Sequence, residues 1–368
     1  MARIFHDGFE LGRPIHAGST ASGSWDNSMW QVYRSHTSGI TVGVSSTSAS
    51  GSYGFVLSST ALSNRSGSIR RNLGTTLVEH YGRCMVRATD ASGTYTQAIF
   101  FLNEGGDKIA SIYMRENVDT LVDVALYIGS SQVAALTSAF ARNIWMRIEW
   151  RLLFDTVSGV FELKRNGDTV LSYEGNTGGN GVRTIGLGRD YGITREVTFR
   201  YDDVAINDTT GTVNNSWPGP GSILLLKPKG AGNYTQWTPD SGNNFARVNE
   251  IPHTSDSAYV ESDTADQIDT YEMQTLADVG VDIEASGFEV KAVQHCMIGR
   301  WDEAETELAR VLRLGTTDNT GVAIEISNTY YRYWDEMFSV NPFDSQPWEV
   351  ADLNNLEAGI KHIAWGGP

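Results

Sequence analysis

Carboxylates spaced two residues apart are the groups in this sequence best able to do acid–base chemistry. Glu303, Glu305 and Glu307 would share one face of a strand, because strand side chains alternate between faces. A glycoside hydrolase needs two carboxyl groups about 5–10 Å apart, one as the acid and one as the base or nucleophile. Only one aromatic residue, Trp301, lies beside them, so the three glutamates are better interpreted as a solvated strand face.

A second carboxylate pair, Asp202 and Asp203, is adjacent in sequence. On a strand the two side chains would point to opposite faces, which suits a calcium ligand or a turn cap better than acid–base catalysis. These two residues are therefore the candidates for metal binding. A surface or edge-strand role is the favoured interpretation.

The spacings that bind zinc, phosphate or dinucleotides do not occur in the sequence. Seven histidines are scattered, and Cys84 and Cys296 are far apart and flanked by apolar residues, so we expect both thiols to be buried. No Gly-x-Ser-x-Gly, P-loop or dinucleotide motif is present, and the glycines at 178–181 lack a strand-to-helix context. The sequence thus predicts a protein that is not an enzyme and has no cofactor.

Aromatic side chains are the remaining groups that could recognise a ligand. The chain has 10 Trp and 15 Tyr, and sugar rings stack on aromatic faces through their CH groups. Trp25, Trp30, Trp217 and Trp237 lie in polar, turn-rich stretches, which makes them the candidates for exposed contacts with a glycan or a partner. The favoured interpretation is instead that large rings fill a sandwich core or an oligomer interface.

The elements that must position these residues are β-strands. Segments 145–150 and 160–164 alternate apolar and polar residues around a turn at 155–159. Asn166-Gly167 favours a two-residue hairpin, and 170–173 supplies a third strand. Such a meander needs a second sheet over its apolar face, which predicts a β-sandwich. The predicted core residues of the meander are Trp145, Ile148, Trp150, Phe161 and Leu163.

Strand signals recur along the whole chain, so the predicted fold class is all-β, with two β-sandwich (jelly-roll) domains in tandem. Residues 1–208 form the first domain, and its similar ends at 5–7 and 201–203 predict neighbouring strands. Residues 209–221, with Pro218-Gly-Pro220, form a linker, and 222–368 form the second domain. Other predicted strands are 3–5, 8–11, 40–42, 54–57, 77–81, 84–88, 97–102, 109–114, 121–127, 181–187, 197–201, 288–294, 307–314, 322–327 and 328–334, with a helical turn at 349–356.

The net charge of −16 is concentrated in the second domain. Residues 1–217 carry 20 acidic and 19 basic residues, whereas residues 218–368 carry 24 acidic and 9 basic residues. This charge opposes nucleic-acid binding and instead indicates a solubilising face or a surface for a basic partner. No apolar run is long enough to span a membrane, and the N-terminus lacks a signal-peptide core, so we expect synthesis in a host cytoplasm.

The first 208 residues resemble the laminin-G and concanavalin A-like jelly-roll superfamily. The resemblance is carried by Trp145-x-Arg-Ile-Glu-Trp150, Gly159-Val-Phe-Glu-Leu163, Asn166-Gly167 and Asp202-Asp-Val-Ala-Ile-Asn-Asp208. Of the calcium ligands of that superfamily, only Asp202 and Asp203 have recognisable counterparts here.

The second domain resembles a module of virion proteins of tailed bacteriophages. The matching segments are 227–239, 248–252, 267–271 and 341–360. The resemblance implies a non-enzymatic structural protein of the virion: a capsid decoration, head-fibre or tail-appendage subunit that forms homo-oligomers and contacts other virion proteins. One alternative is a lectin that binds a host surface glycan. Another is a jelly-roll glycoside hydrolase or polysaccharide lyase, with Glu305 as its best candidate.

Overall fold

The computed structural model describes residues 2–12, 29–34, 39–60, 65–91, 93–117, 121–193, 196–283, 288–301, 306–326 and 331–363. The chain divides into two compact units, Met1–Ile223 and Leu224–Pro368. The segment predicted as a linker, 209–221, falls within the first unit. It is hydrogen-bonded there, since Asn207 Nδ2 donates to the Ser216 carbonyl (2.7 Å) and the Gly219 N–H donates to Glu149 (2.7 Å).

The first unit consists of two antiparallel sheets. In chain order its strands are β1 (Arg3–Asp7), β2 (Gln31–Arg34), β3 (Ile40–Ser45), β4 (Gly54–Ser59), β5 (Arg65–Leu77), β6 (Glu79–Ala91), β7 (Thr96–Leu102), β8 (Lys108–Glu116), β9 (Leu121–Ile128), β10 (Ser131–Ala141), β11 (Met146–Leu153), β12 (Gly159–Arg165), β13 (Asp168–Gly175), β14 (Val182–Ile193) and β15 (Val197–Asn207). The eight-stranded sheet has the order β13-β12-β11-β6-β15-β4-β3, with β1 also paired to β15. The seven-stranded sheet has the order β10-β9-β8-β7-β14-β5-β2.

The predicted meander is confirmed as β11, β12 and β13. Arg165 pairs with Asp168, and the two residues between them, Asn166 and Gly167, have φ values of 52° and 104°, as the predicted hairpin requires. Its core prediction also holds, because Ile148, Trp150, Phe161 and Leu163 are each at most 1% exposed. Trp145 is half-buried.

Trp150 shows how the two sheets meet. Its indole lies edge-on to Phe101 of the opposite sheet, with the ring centroids 5.7 Å apart. The neighbouring strand makes room with a glycine, since a Cβ on Gly82 would lie 2.0 Å from the indole. The Trp150 Nε1 donates to His80 (3.2 Å), so its one polar atom is satisfied inside the core.

The chain ends of the first unit meet as predicted, because β1 pairs with β15 and Asp7 lies opposite Val204. The predicted strand at 8–11 is wrong. Phe9 has a φ of 60°, and Asp7 accepts the Phe9 N–H (2.7 Å), which turns the chain instead of extending it. The strands β5 and β10 were not predicted, since β5 is polar and interrupted by glycines and β10 is an edge strand with many exposed residues.

The second unit is built around a six-stranded antiparallel sheet. Its elements are β16 (Pro228–Thr235), β17 (Thr238–Pro239), α1 (Asn244–Arg247), a 3-10 turn (Ser255–Ser257), β18 (Val260–Glu261), β19 (Ile268–Met273), a 3-10 turn (Ala277–Val279), β20 (Val293–Gly299), β21 (Thr306–Leu314), β22 (Thr317–Thr320), β23 (Ile324–Ile326), β24 (Arg332–Phe338), α2 (Val350–Asn354) and β25 (Leu356–Ile363). The sheet order is β16-β19-β25-β21-β22, with β23 also paired to β21. The β20–β24 pair packs against this sheet through Met297 and Trp334, which contact Leu308 and Ile326.

The all-β fold with two β-sandwich units in tandem is therefore confirmed. The strand predicted at 307–314 is β21, and the helical turn predicted at 349–356 contains α2. The strand predicted at 288–294 is displaced, since β20 begins only at Val293. No helix in the described part of the chain is both long and apolar enough to cross a membrane.

Candidate functional site

A cleft lies on the outer face of the seven-stranded sheet, above β8 and β9. Alternation places Tyr113 and Arg115 on the same face of β8, and the pairing puts Ala125 and Asp123 of β9 directly opposite them. Because Ala125 is small, Tyr127, two residues along β9, can lean across it towards Tyr113. Their ring centroids are 4.4 Å apart at an interplanar angle of 43°.

The cleft, which we call the tyrosine cleft, has a volume of about 720 Å³. The side chains that give it its chemistry are Tyr95, Lys108, Tyr113, Arg115, Tyr127 and Ser130. The Arg115 guanidinium lies 4.4 Å from the centre of the Tyr95 ring. The Lys108 ammonium lies 3.4 Å from the Tyr113 hydroxyl. Three phenol rings and two cations thus share one open concavity.

A buried carboxylate behind the cleft fixes Arg115. Asp123, 1% exposed, accepts the Arg115 Nε–H (2.8 Å), the Asn117 amide (3.0 Å) and the Ser138 backbone N–H (2.8 Å). Burial acts to raise the pKa of Asp123, but these three hydrogen bonds outweigh it and hold the pKa below its usual value. Ser138 has a φ of 55°, within the irregular part of β10.

The other charged and phenolic groups of the cleft are partly desolvated. Burial lowers the pKa of Lys108, and the negative charge of Asp190 opposes that shift. Burial raises the pKa of Tyr95, although the neighbouring Arg115 charge acts to lower it. The Tyr95 hydroxyl therefore keeps its proton at neutral pH and can donate a hydrogen bond.

Next to the cleft, the middle of the same sheet is polar. Gln97 lies opposite Tyr113, where β7 is irregular, and its Oε1 accepts the Asp190 N–H (2.6 Å). Asp190 in turn forms an ion pair with Arg70. Gln97 Nε2 and Ser111 Oγ are buried and have no hydrogen-bond partner among the described residues. Both residues are 0% exposed, so these atoms lie beneath the surface and do not line the cleft.

The sequence analysis did not select any residue of the tyrosine cleft. The strands predicted at 109–114 and 121–127 are confirmed as β8 and β9. The side chains on the outer face of these strands were not among the predicted site residues. The sequence did contain a signal for the cleft. Tyr113 and Arg115 are two residues apart in β8, and Asp123 and Tyr127 are four residues apart in β9, so each pair shares one face of its strand.

The candidate metal residues do not point to opposite faces, so that expectation is wrong. Asp203 has a φ of 50°, and the register of β15 against β6 shifts between Asp202 and Ala205. This irregularity turns both carboxylates towards one loop. Asp202 accepts the N–H groups of Ala49 (2.7 Å) and Ser50 (3.1 Å), and Asp203 accepts the Ser50 hydroxyl (3.0 Å).

The electrostatics of this buried pair differ from those of the tyrosine cleft. Burial raises the pKa of Asp202 to about 7, and the charge of Asp203 acts in the same direction. Burial also raises the pKa of Asp203 and of the nearby Glu10. Within the described ranges, no group of three or more His, Cys, Asp or Glu is arranged to hold a metal ion. Metal binding by Asp202 and Asp203 stays a prediction.

Two of the candidate contact tryptophans are buried, so they are not exposed contact residues and agree with the favoured core interpretation. Trp30 is 1% exposed, and its Nε1 donates to Asp7 (2.6 Å). Trp237 is 8% exposed, and its Nε1 donates to the Gln267 carbonyl (3.2 Å). Each indole lies in a turn-rich stretch of sequence, but it packs inward, and its N–H group donates to a hydrogen-bond acceptor there. Trp25 lies outside the described residues.

Trp217 is the one predicted contact tryptophan that the structure leaves half-buried. It packs edge-on against Tyr81 (5.3 Å between ring centroids), and the Lys164 ammonium lies 3.8 Å from its ring centre. Its role as a glycan or partner contact stays a prediction.

The structure describes only some of the remaining sequence candidates. Glu303 and Glu305 lie outside the described residues, and Glu307 is a half-buried residue of β21. Cys84 is fully buried, as expected, whereas Cys296 is only partly buried.

Comparisons with known proteins give structural similarities only. No family model matches the sequence, and no curated protein matches it. Cellulose induced protein Cip1 is 16% identical, with 59% of this chain and 100% of that chain covered at a TM-score of 0.43. Domain 4 of AbnA, an extracellular GH43 arabinanase from Geobacillus stearothermophilus solved with arabinotriose, is 13% identical, with 56% and 93% covered at a TM-score of 0.37. The Emp46p carbohydrate recognition domain in its metal-free form is 13% identical, with 47% and 89% covered at a TM-score of 0.31.

Proposed function

We propose that the first unit binds a carbohydrate in the tyrosine cleft. The observation that carries this proposal is the grouping of Tyr95, Tyr113 and Tyr127 around one open concavity of about 720 Å³. Ligand sites are concave, combine aromatic surface with a few polar groups, and commonly have volumes of about 300–1,000 Å³.

The chemistry of the cleft suits a sugar better than a purely apolar ligand. Phenol rings offer flat faces to the CH groups of a pyranose, and their hydroxyls can exchange hydrogen bonds with the hydroxyls of the sugar. The Arg115 guanidinium and the Lys108 ammonium belong to the same lining and add hydrogen-bond donors to it. An apolar ligand would exclude water from these charged groups without replacing its hydrogen bonds.

A glycan array followed by titration calorimetry tests the proposal. Tyr127→Ala should weaken binding of the best ligand at least tenfold, because it removes one stacking face of the cleft. Tyr173→Ala is a matched control, since Tyr173 is also half-buried but belongs to β13 of the other sheet. If both variants bind like the wild type, or if no glycan binds the wild type, the proposal is wrong.

We further propose that this binding is not accompanied by hydrolysis. The supporting observation is that the described residues of the cleft include no pair of carboxyl groups, and the nearby Asp123 is held by three donors and turned away from solvent. Release of saturated reducing sugars from a bound polysaccharide would contradict it. Placement on a tailed-phage virion stays a prediction, which mass spectrometry of purified particles can test.

A further inference from the structure

We propose that Asp123 is a positioning residue of the tyrosine cleft, which controls ligand binding through Arg115 without touching the ligand. This inference rests on the proposed glycan binding and goes beyond it, because it assigns part of the affinity to a residue beneath the cleft surface. The contacts that carry it run from Asp123 to Arg115 and from Arg115 to Tyr95.

Asp123 is placed to act on the cleft only from below. It is 1% exposed and is not among the described residues that line the cleft. Its Oδ2 accepts the Arg115 Nε–H (2.8 Å), while its Oδ1 accepts the Asn117 amide (3.0 Å) and the Ser138 backbone N–H (2.8 Å). The carboxylate is therefore held in one orientation, and both of its oxygens are occupied by the protein itself.

Arg115 is the residue through which Asp123 acts. It lines the cleft, and its side chain is 35% exposed. Its Nε–H is taken by Asp123, while its two terminal nitrogens make no hydrogen bond to any described residue. A guanidinium held at Nε keeps its planar pair of terminal donors in a fixed direction, so a ligand oxygen can meet them without first ordering a long side chain.

The position of the Tyr95 ring depends on the same contacts. Tyr95 precedes β7 and is not part of a strand, so sheet pairing does not fix its place. The Arg115 guanidinium lies 4.4 Å from the centre of its ring, a distance at which a cation and an aromatic face attract each other. Loss of the Asp123 charge should therefore loosen both the Arg115 donors and the stacking surface of Tyr95.

A double-mutant cycle separates this role from a merely structural one. The variants are Asp123→Asn, Arg115→Met and the two combined. The probe is the soluble oligosaccharide bound most tightly on a glycan array that includes cellohexaose, xylohexaose, mannohexaose and arabinohexaose. We expect Arg115→Met to weaken binding about tenfold, and Asp123→Asn to weaken it about fivefold or more when Arg115 is present. In the Arg115→Met background, Asp123→Asn should change the affinity less than about twofold.

Asp123 also joins the β8–β9 connection to β10 through Asn117 and Ser138, so folding is measured as well. Urea titration shows whether each variant is folded under the binding conditions. If Asp123→Asn does not fold, the Arg115 Nε–H resonance of the wild-type protein, assigned by its loss in Arg115→Met, takes its place. We expect this proton to exchange slowly with water, and exchange as fast as in an exposed arginine would overturn the inference.

Glu79→Gln is the matched control. Glu79 also accepts an arginine Nε–H, that of Arg151 (2.8 Å), but it belongs to the eight-stranded sheet, so its substitution should leave the affinity within about twofold of the wild type. Equal losses from Asp123→Asn in both backgrounds, or wild-type affinity in Arg115→Met, would overturn this inference but leave glycan binding standing. Absence of binding to every glycan would overturn both proposals.

Discussion

The protonation of a single residue, Asp202, affects the stability of the first unit. It is fully buried at the irregular part of β15, where three backbone N–H groups donate to its oxygens. Burial and the neighbouring Asp203 charge nevertheless raise its pKa to about 7. At pH values between the unfolded and folded pKa, the folded state therefore holds a proton that the unfolded state has lost.

This difference predicts that the contribution of Asp202 to stability falls as pH rises. Because its folded pKa lies above the unfolded value of 3.8, unfolding between pH 4 and pH 7 releases a proton from Asp202. The full shift corresponds to on the order of 4 kcal/mol, at about 1.4 kcal/mol per pKa unit. Burial lowers the pKa of His6 and His80 to about 3, which acts in the opposite direction but equally in wild type and Asp202→Asn. Chemical denaturation at pH 5, 6, 7 and 8 should therefore show the stability of wild type falling relative to that of Asp202→Asn as pH rises.

Asp155 provides the control for that measurement. It is an exposed carboxylate whose pKa is lowered by hydrogen bonds from the Ser158 and Val157 backbone, so its titration lies below this pH window. Asp155→Asn should therefore keep the wild-type slope between pH 5 and pH 8. A stability difference between wild type and Asp202→Asn that stays constant over this range would contradict the assignment to Asp202.

At the scale of elements, the sequence predicts strands well where alternation and turn chemistry agree. The β11–β12–β13 meander was predicted because its apolar residues alternate and Asn166-Gly167 tolerates positive φ. The tyrosine cleft was not predicted, because alternation shows which residues share a face but not which neighbouring strands align them. That alignment depends on the long-range pairing of β7, β8 and β9. The bulge at Asp203 was missed for the same reason.

The Asn166-Gly167 hairpin gives a prediction at this scale. Gly167 has a φ of 104°, which an L side chain rarely adopts, and an added Cβ would lie 3.2 Å from Arg147. Gly167→Ala should therefore destabilise the first unit by about 1–3 kcal/mol in urea titrations. Gly179→Ala is the matched control, because Gly179 is exposed and its added Cβ would have no heavy atom closer than 3.6 Å. Equal effects of the two substitutions would contradict this account of the turn.

At the scale of the whole molecule, the two units differ in charge as well as in fold. The first unit carries 20 acidic and 19 basic residues, and the second carries 24 acidic and 9 basic residues. The second unit therefore repels an anionic partner more strongly than the first unit does. The division between the units follows Ile223, so the turn-rich segment before it is a structural part of the first unit.

Hydrogen bonds show how residues 209–223 stabilise the first unit. Arg83, which is 4% exposed, donates to the Gly219 carbonyl (3.1 Å), and Glu149 accepts the Gly219 N–H (2.7 Å). Asp203 accepts the Ile223 N–H (2.7 Å). Gly219 and Ile223 thus provide hydrogen-bond partners for three nearly buried charged side chains. Both residues lie beyond residue 208, which the sequence predicted as the end of the first domain.

A fragment of residues 1–223 should therefore fold as a stable unit, and a fragment of residues 1–208 should be weaker. Each lost hydrogen bond costs roughly 1 kcal/mol, and more where a charged group stays partly buried, so we expect a total loss of about 3–5 kcal/mol. Urea denaturation followed by tryptophan fluorescence measures the difference. Equal stability would mean that residues 209–223 are only a connection, whereas a large loss would mean that these hydrogen bonds hold the buried charges of the first unit in place.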